Sequence, residues 1–229
     1  MPRKPLLGQQ VGDRSILVNL SHYCCELAQE KIEVSDWRAA RTLVKEALEH
    51  DRNCVRASIM SGEIECSAGN IKLAIKALKR VRFQDPEYIP ETVEVLRRCY
   101  RELDDISALH SYLHECMEYY PSVTLMLSIA DDVRQLEGEL QAADFVAKEL
   151  KQSPSLRGLS ALIRMHVDNT SGKAKENLTI LQQLVEHLIA DRPTYRCNHC
   201  GFSGKKMHWY CPGCKQWGTI KTIRGTEGD

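Results

Sequence analysis

The chain lacks a long hydrophobic run. Its 229 residues are 43% hydrophobic and 27% charged, yet no apolar stretch approaches the roughly eighteen residues that a membrane-spanning helix needs. The first residues, MPRKPLLG, contain no sustained apolar segment like that of a secretory signal peptide. We therefore expect no transmembrane span in this chain and no export.

The chain also lacks an excess of charge of either sign. It has 31 Lys and Arg against 31 Asp and Glu, a formal net charge of +0, so no global field attracts nucleic acid or anionic lipid. One segment departs from this balance, because residues 192–229 carry seven basic residues and two acidic ones. The neutral whole argues against nucleic acid as a partner, but this basic segment keeps a nucleic-acid-binding protein as the alternative interpretation.

Cysteine is abundant, and four of the ten cysteines form two C-x2-C knuckles separated by ten residues. Two such knuckles let four sulfurs converge tetrahedrally on one ion. The other cysteines are scattered, which suits a reducing cytosol better than a disulfide framework. The predicted metal ligands are Cys197, Cys200, Cys211 and Cys214.

The metal site is predicted to be structural. Residues from about 192 onward form a unit too short to bury a sufficient apolar core, so a bound ion must supply folding free energy. Four protein ligands leave no coordination position for water, which argues against Lewis-acid catalysis. The cofactor is therefore one Zn or Fe ion; zinc is favoured, while four thiolates also suit a redox-active iron. His199 lies inside a knuckle and is not expected to be a ligand.

Catalytic motifs are scarce. The segment 201–206, GFSGKK, is too short for a phosphate-binding P-loop and lacks its closing Ser or Thr. His110 and His114 are one helical turn apart, but no Glu follows His110, so this is not a metalloprotease helix. We expect a protein that is not an enzyme.

A repeat of 34 residues organises the chain before the knuckles. A small residue recurs with this period and a large one follows it by four positions, the pairing that lets two helices approach closely. The small positions are Ala40, Ala74, Ala108 and Ala142, and the large ones are Val44, Leu78, Tyr112 and Val146. The period is that of tetratricopeptide repeats. In the fifth repeat Glu176 replaces the small residue, which predicts an atypical last pair.

The predicted fold is mainly α: a tetratricopeptide-repeat solenoid with a small C-terminal rubredoxin-like zinc ribbon. We expect a disordered lead over 1–14, the solenoid over 15–191, and the metal-binding module and tail over 192–229. The expected helix pairs are 15–32 with 36–50, 55–68 with 71–84, 89–103 with 105–119, 123–136 with 139–152, and 156–168 with 173–190.

A solenoid offers a binding surface, because the first helices of its pairs line a groove. From the helix register we predict a partner-binding groove formed by Arg56, Glu63, Arg97, Tyr100, Arg101, Asp131 and Arg134. Five aromatic residues crowd the metal module. In the alternative interpretation, a zinc-ribbon nucleic-acid-binding protein, they stack on bases; in the favoured one they fill a core and dock the module onto the last helices. The five aromatic residues are Tyr195, Phe202, Trp209, Tyr210 and Trp217.

The knuckle segment 195–221 resembles the C-terminal module of the lipopolysaccharide assembly protein B family. It shares the pattern YRC-x-x-CGF followed by W-x-CP-x-C-x-x-W-x-TIK, preceded by tetratricopeptide repeats. The resemblance continues through residues 21–28, SHYCCELA, and 85–87, DPE. It implies that the family's N-terminal membrane helix and first repeats have no counterpart among these 229 residues.

The resemblance also implies a function. It indicates a bacterial adaptor, without catalytic chemistry, at the cytoplasmic face of the inner membrane. Such an adaptor regulates lipopolysaccharide synthesis by bringing the lipid A pathway deacetylase to a membrane-anchored AAA protease for degradation. Other lipopolysaccharide assembly proteins are further candidate partners.

Overall fold

A computed structural model describes the backbone of residues 7–225 and the side chains of residues 15–225. This part of the chain forms ten α-helices followed by a three-stranded antiparallel sheet. The helices are α1 (Leu7–Glu33), α2 (Trp37–His50), α3 (Val55–Ser67), α4 (Ile71–Gln84), α5 (Val93–Glu102), α6 (Ile106–Tyr119), α7 (Val123–Leu136), α8 (Glu139–Gln152), α9 (Leu156–Asp168) and α10 (Gly172–Ala190). The strands are β1 (Tyr195–Cys197), β2 (Ser203–Gly204) and β3 (Ile220–Thr222). The predicted fold class is confirmed.

Helix α1 begins earlier than the sequence pattern predicts. It starts at Leu7, so residues 7–14 of the expected disordered lead are helical, whereas residues 1–6 lie outside the described part of the chain. No proline interrupts the sequence of α1. Once a helix exists, each added residue gains a backbone hydrogen bond, so α1 extends toward its N-terminus.

Helix α5 begins later than predicted, at Val93 rather than residue 89. Two short 3-10 turns, Pro86–Tyr88 and Pro90–Thr92, precede it. Proline lacks a backbone N–H and restricts the residue before it, so Pro90 suits a first turn but not a helix interior. The α-helix therefore forms only beyond this second proline.

Side-chain caps set the starts of four helices. Asp36 and Asp105 each accept a hydrogen bond from a backbone N–H in the first turn of α2 and α6, at 3.0 and 3.1 Å. Ser122 and Ser155 do the same for α7 and α9, each at 3.4 Å. Such a cap contributes about 1 kcal/mol to helix stability, which explains why these boundaries follow the sequence closely.

The repeat positions pack as the 34-residue pattern predicts. Ala40 and Ala74 are fully buried, and Leu78 is buried as well, in the pattern's large position. Gly62 on α3 faces Leu78 on α4 so closely that a Cβ added to Gly62 would lie 2.5 Å from Leu78 Cγ. The close approach of α3 and α4 therefore depends on the absence of a side chain at residue 62.

The chain divides into two compact units, Met1–Asp104 and Asp105–Asp229. In the first unit, α1, α2 and α3 share a core that contains Cys25, Ala28 and Ala57. In the second, α7 and α8 pack around Met126 and Val146, and the same unit contains the sheet. The predicted domain boundary between residues 191 and 192 stays a prediction, because the second unit contains both the helices α6–α10 and the metal-binding module.

The last helix pair departs from the repeat. On α10, Glu176 is exposed, and Ile180, in the large position, is 55% exposed. Helix α10 instead packs against Ile163 and Val167 of α9 through Val185. Within the described residues, no helix combines the length and apolar character needed to cross a bilayer.

We predict that Gly62→Ala lowers the free energy of unfolding by about 1–3 kcal/mol, because the new methyl group overlaps Leu78. In a Leu78→Ala background the same substitution should cost about 1 kcal/mol less, since the obstructing side chain is gone. Chemical denaturation followed by circular dichroism measures both values. Ser67→Ala, at the exposed end of α3, is the control; equal stability of Gly62→Ala and Ser67→Ala would contradict the packing argument.

Candidate metal centre

A three-stranded sheet holds the first knuckle in place. The strand order is β2-β1-β3, both pairs being antiparallel. Cys197 is the last residue of β1 and pairs with Ile220 of β3. Its backbone N–H donates to the carbonyl of Phe202 at 2.7 Å. The chain between Cys197 and Phe202 is therefore a closed turn that carries Cys200.

The second knuckle repeats the hydrogen bonds of the first. In the first knuckle, the Gly201 N–H donates to the Cys197 carbonyl at 3.0 Å. In the second, the Lys215 N–H donates to the Cys211 carbonyl at the same distance, and the Cys211 N–H donates to the Gln216 carbonyl at 2.9 Å. Gly201 and Lys215 both have left-handed backbones, with φ of 78° and 59°. The two knuckles thus present their cysteines with the same local geometry.

The four knuckle sulfurs form one cluster. All four Sγ atoms lie within 4.8 Å of one another. The distance from Cys197 Sγ to Cys214 Sγ is 3.8 Å, and that from Cys200 Sγ to Cys211 Sγ is 3.6 Å. A tetrahedral ion with metal–sulfur bonds of about 2.3 Å requires sulfur separations of about 3.8 Å, whereas a disulfide requires about 2.05 Å. The donor set and its spacing therefore fit one Zn or Fe ion.

Two thiols of this cluster have pKa values shifted in opposite directions. Desolvation would raise the pKa of the Cys197 thiol, but hydrogen bonding with the Thr219 side chain and with the Cys200 and His199 amides outweighs it and lowers the pKa to about 6. Desolvation raises the pKa of Cys214 to about 11; the Gln216 amide opposes this rise and the neighbouring thiols add to it. At neutral pH the Cys214 thiol therefore keeps its proton, and a cation that binds all four sulfurs as thiolates must displace it.

Gly213 is a site residue that the cysteine spacing alone does not reveal. A Cβ added there would lie 3.0 Å from Cys200 Sγ and 3.4 Å from Phe202 Cβ. The second knuckle therefore approaches the first through a glycine. The signal in the sequence is the glycine directly before Cys214, but its role depends on how the two knuckles face each other.

His199 lies at the edge of the cluster. Its Nε2 atom is 3.3 Å from Nε2 of Gln216, a residue that follows the second knuckle. The group of four ligand atoms within 4.8 Å consists of the cysteine sulfurs. His199 therefore links the two knuckles through a side-chain contact, consistent with its predicted exclusion from the ligand set.

Aromatic residues of the module pair with one another. The rings of Tyr210 and Trp217 have centroids 4.6 Å apart, and their backbones form a β-bridge. Phe202 and His208 meet edge to face at 6.3 Å. Tyr210 is 41% exposed, so these aromatic residues contribute both to the small core and to the surface.

Two cationic side chains connect the module to the helices of its own unit. The guanidinium of Arg224 lies 3.8 Å from the centroid of the Tyr120 ring, just after α6. Lys205 Nζ donates to the carbonyl of Ala190, the last residue of α10, at 2.5 Å. A cation at a helix C-terminus satisfies a free carbonyl and interacts favourably with the helix dipole. The module is thus attached at the ends of two helices.

The structure buries three of the seven residues predicted for the partner groove. Arg56 is buried, and its Nη1 atom lies 2.6 Å from Glu26 Oε1 on α1. Arg97 and Tyr100 on α5 are buried as well. The sequence pattern predicts all three on the solvent-exposed face of the groove. They are buried instead, because the aliphatic part of an Arg side chain and the ring of Tyr also pack well between helices. These three residues are therefore structural parts of the first unit.

The other four predicted groove residues reach solvent. Glu63 and Arg101 are exposed in the first unit, and Asp131 and Arg134 lie on α7 in the second, 3.1 Å apart. Desolvation by the surrounding protein raises the pKa of the Glu63 carboxyl, and the charge of Arg98 partly offsets this rise. Arg98 is also exposed, although it is not among the residues predicted for the groove.

The fold and the site together define a class: a helical-repeat protein of tetratricopeptide type with a rubredoxin-type metal-binding module after its last helix. Residues 195–222 match the family model of the rubredoxin metal binding domain.

Along 96% of its length the chain resembles lipopolysaccharide assembly protein B of Escherichia coli K12, with 34% identity over 220 residues. The protein of that name from Haemophilus influenzae is 28% identical over 211 residues, or 92% of this chain. The resemblance predicted from the motifs is confirmed. The chain spans little more than half of these relatives, 57% and 53% of their lengths.

Solved structures with related helical arrangements include the MamA protein and a thermophilic tetratricopeptide protein of Thermus thermophilus. The first has a TM-score of 0.47 at 15% identity and covers 75% of this chain and 94% of its own. The second has a TM-score of 0.46 at 16% identity, with coverage of 75% and 92%.

We predict that Gly213→Ala weakens metal binding about tenfold, because the new methyl group presses on Cys200 Sγ and overpacking costs about 1–3 kcal/mol. Competition with a chromophoric chelator measures the affinity. Lys215→Gly is the matched control in the same knuckle; it removes a left-handed non-glycine residue and should bind at least as tightly as the unmodified chain. Unchanged affinity of Gly213→Ala would show that the close approach of the knuckles does not constrain the ion.

Proposed function

We propose that this protein is a non-catalytic adaptor in lipopolysaccharide assembly. The observation that carries the proposal is the similarity to lipopolysaccharide assembly protein B along 96% of the chain, which covers both the helical repeats and the metal-binding module. Helix pairs supply an extended surface for protein partners. The module adds a compact unit attached to the helices through Arg224 and Lys205.

In the finer form of this proposal, the adaptor brings the lipid A pathway deacetylase to a membrane-anchored AAA protease at the cytoplasmic face of the bacterial inner membrane. Degradation of the deacetylase then limits lipopolysaccharide output. Support comes from the family resemblance and from a surface of exposed charges on the helices. Other lipopolysaccharide assembly proteins are further partners in this proposal.

The metal has a structural role in this proposal, and zinc is the favoured ion. Four sulfurs at tetrahedral separations occupy every position of a four-coordinate ion. Such an ion stabilises the short strands rather than activating water. Iron in the same site would give the purified protein the visible absorption of a ferric tetrathiolate, so the colour of protein isolated without added metal distinguishes the two ions.

The exposed charges of the first unit are the proposed contact surface for a partner. Glu63 lies on α3, and Arg98 and Arg101 lie on α5, a helix that packs against α3. All three reach solvent. Charge reversal at these positions changes the surface without disturbing buried packing. Charge reversal at Arg97 would disturb it, because that side chain is buried.

We predict that Arg98→Glu combined with Arg101→Glu reduces recovery of the deacetylase severalfold when the tagged protein is purified from bacterial membranes. The physical reason is the loss of two positive charges from the proposed contact surface. Circular dichroism should remain unchanged because both side chains are exposed. Lys72→Glu, an exposed charge reversal on α4, is the matched control and should leave recovery intact.

Two results would overturn parts of the proposal. Equal recovery with the α5 double variant and the Lys72→Glu control would exclude the contact surface. Absence of both the deacetylase and the protease from preparations of the unmodified protein would exclude the adaptor role. Oligonucleotide binding that weakens steeply with added salt would instead support the nucleic-acid alternative.

A further inference from the structure

A second group of metal-ligating side chains lies in the first compact unit. It consists of Cys24 on α1 and of Glu46 and His50 on α2, and their ligand atoms all lie within 4.8 Å of one another. The three residues are dispersed in sequence and form no recognisable motif. They come together because α1 and α2 pack side by side.

The helix geometry directs these side chains to one place. Glu46 and His50 are four residues apart on α2 and therefore share one face; His50 Nε2 lies 3.7 Å from Glu46 Oε1. Cys24 is buried, and its helix is held against α2 by the core around Ala40 and Val44. The separation between the thiol and the two α2 ligands is thus set by a packed interface.

The three donors differ in chemistry. One thiol sulfur, one imidazole nitrogen and one carboxylate oxygen form a mixed set that suits zinc, a borderline-soft ion bound by all three ligand types. Calcium and magnesium prefer oxygen ligands alone. Glu46 and His50 alone could be an ordinary ion pair on the surface of α2. The thiol of Cys24 beside them has no part in such a pair, and it is the feature that indicates a metal site.

We propose that Cys24, Glu46 and His50 form a second, exchangeable zinc site that joins α1 to α2. Zinc ligands lie about 3.3–3.8 Å from one another around the ion, so the side chains must move slightly closer than their present limit of 4.8 Å. The side chains of Glu46 and His50 are 53% and 30% exposed. Both can adjust by rotation about side-chain bonds, with the backbone unchanged.

Three protein ligands leave one position of a tetrahedral zinc ion for water or an external ligand. The site therefore differs in kind from the closed four-sulfur site and exchanges its ion more readily. Zinc bound between α1 and α2 stabilises the folded first unit by mass action. This inference does not depend on the proposed adaptor function.

The test is a Co²⁺ titration of the complete chain after removal of metal by a chelator under reducing conditions. Equilibrium dialysis gives the number of ions bound, and visible absorption reports the ligand type. We expect two equivalents for the unmodified chain, with sulfur-to-cobalt charge-transfer bands for both. Glu46→Gln and His50→Ala should each remove the weaker equivalent and leave the four-sulfur spectrum unchanged.

Two matched variants serve as controls. Glu49→Gln changes a carboxylate on the same helix that pairs instead with Lys45, and it should keep both equivalents. Cys116→Ala removes a buried thiol on α6 and should also keep both. A single equivalent bound by the unmodified chain would overturn the proposal, as would two equivalents retained by both Glu46→Gln and His50→Ala.

Cys24→Ala tests the thiol separately. The second equivalent should lose its charge-transfer band or be lost altogether, while circular dichroism verifies that the helices remain folded. An unchanged spectrum for the second equivalent would exclude Cys24 as a ligand and overturn the site as proposed.

Discussion

The convergence of four cysteine sulfurs is the constraint on which the C-terminal module depends. Its strands contain two or three residues each, and a unit of fewer than about 40 residues buries too little apolar surface to fold without a metal or a similar support. The two knuckles meet through Gly213 and Cys200, and the sulfurs lie at the separations of a tetrahedral site. Because desolvation and crowding by neighbouring thiols raise the pKa of Cys214, the cluster is not stable as four thiolates without a cation.

This constraint extends from the module to the helices of the second unit. Arg224 covers the ring of Tyr120, and Lys205 caps the C-terminal end of α10. Both residues lie close in sequence to strands whose position the knuckles determine. An ion that orders the knuckles would therefore also fix the position of the two residues that attach the module to the ends of α6 and α10.

Much of the fold follows from sequence patterns because the determining interactions are local or periodic. The 34-residue recurrence predicts which positions pack, and caps such as Asp36 and Ser122 define helix starts.

The late start of α5 was not predicted, because Pro90 acts together with the turn before it. Arg56 was predicted to be exposed, but its burial depends on a partner thirty residues earlier, Glu26, and on how α1 packs against α3. The group containing Cys24 and His50 was not predicted either, because it forms only where α1 packs against α2.

Hydrogen exchange of the complete chain, with and without its metal, tests whether the sheet of the module depends on the bound ion. Chelation should remove protection from the amides of 195–197 and 220–223, while the buried amides of α7 and α8 stay protected. These strands have no adequate core of their own, whereas α7 and α8 pack around Met126 and Val146. Retention of strand protection in metal-free protein would contradict the account, because the sheet would then be stable without an ion between the knuckles.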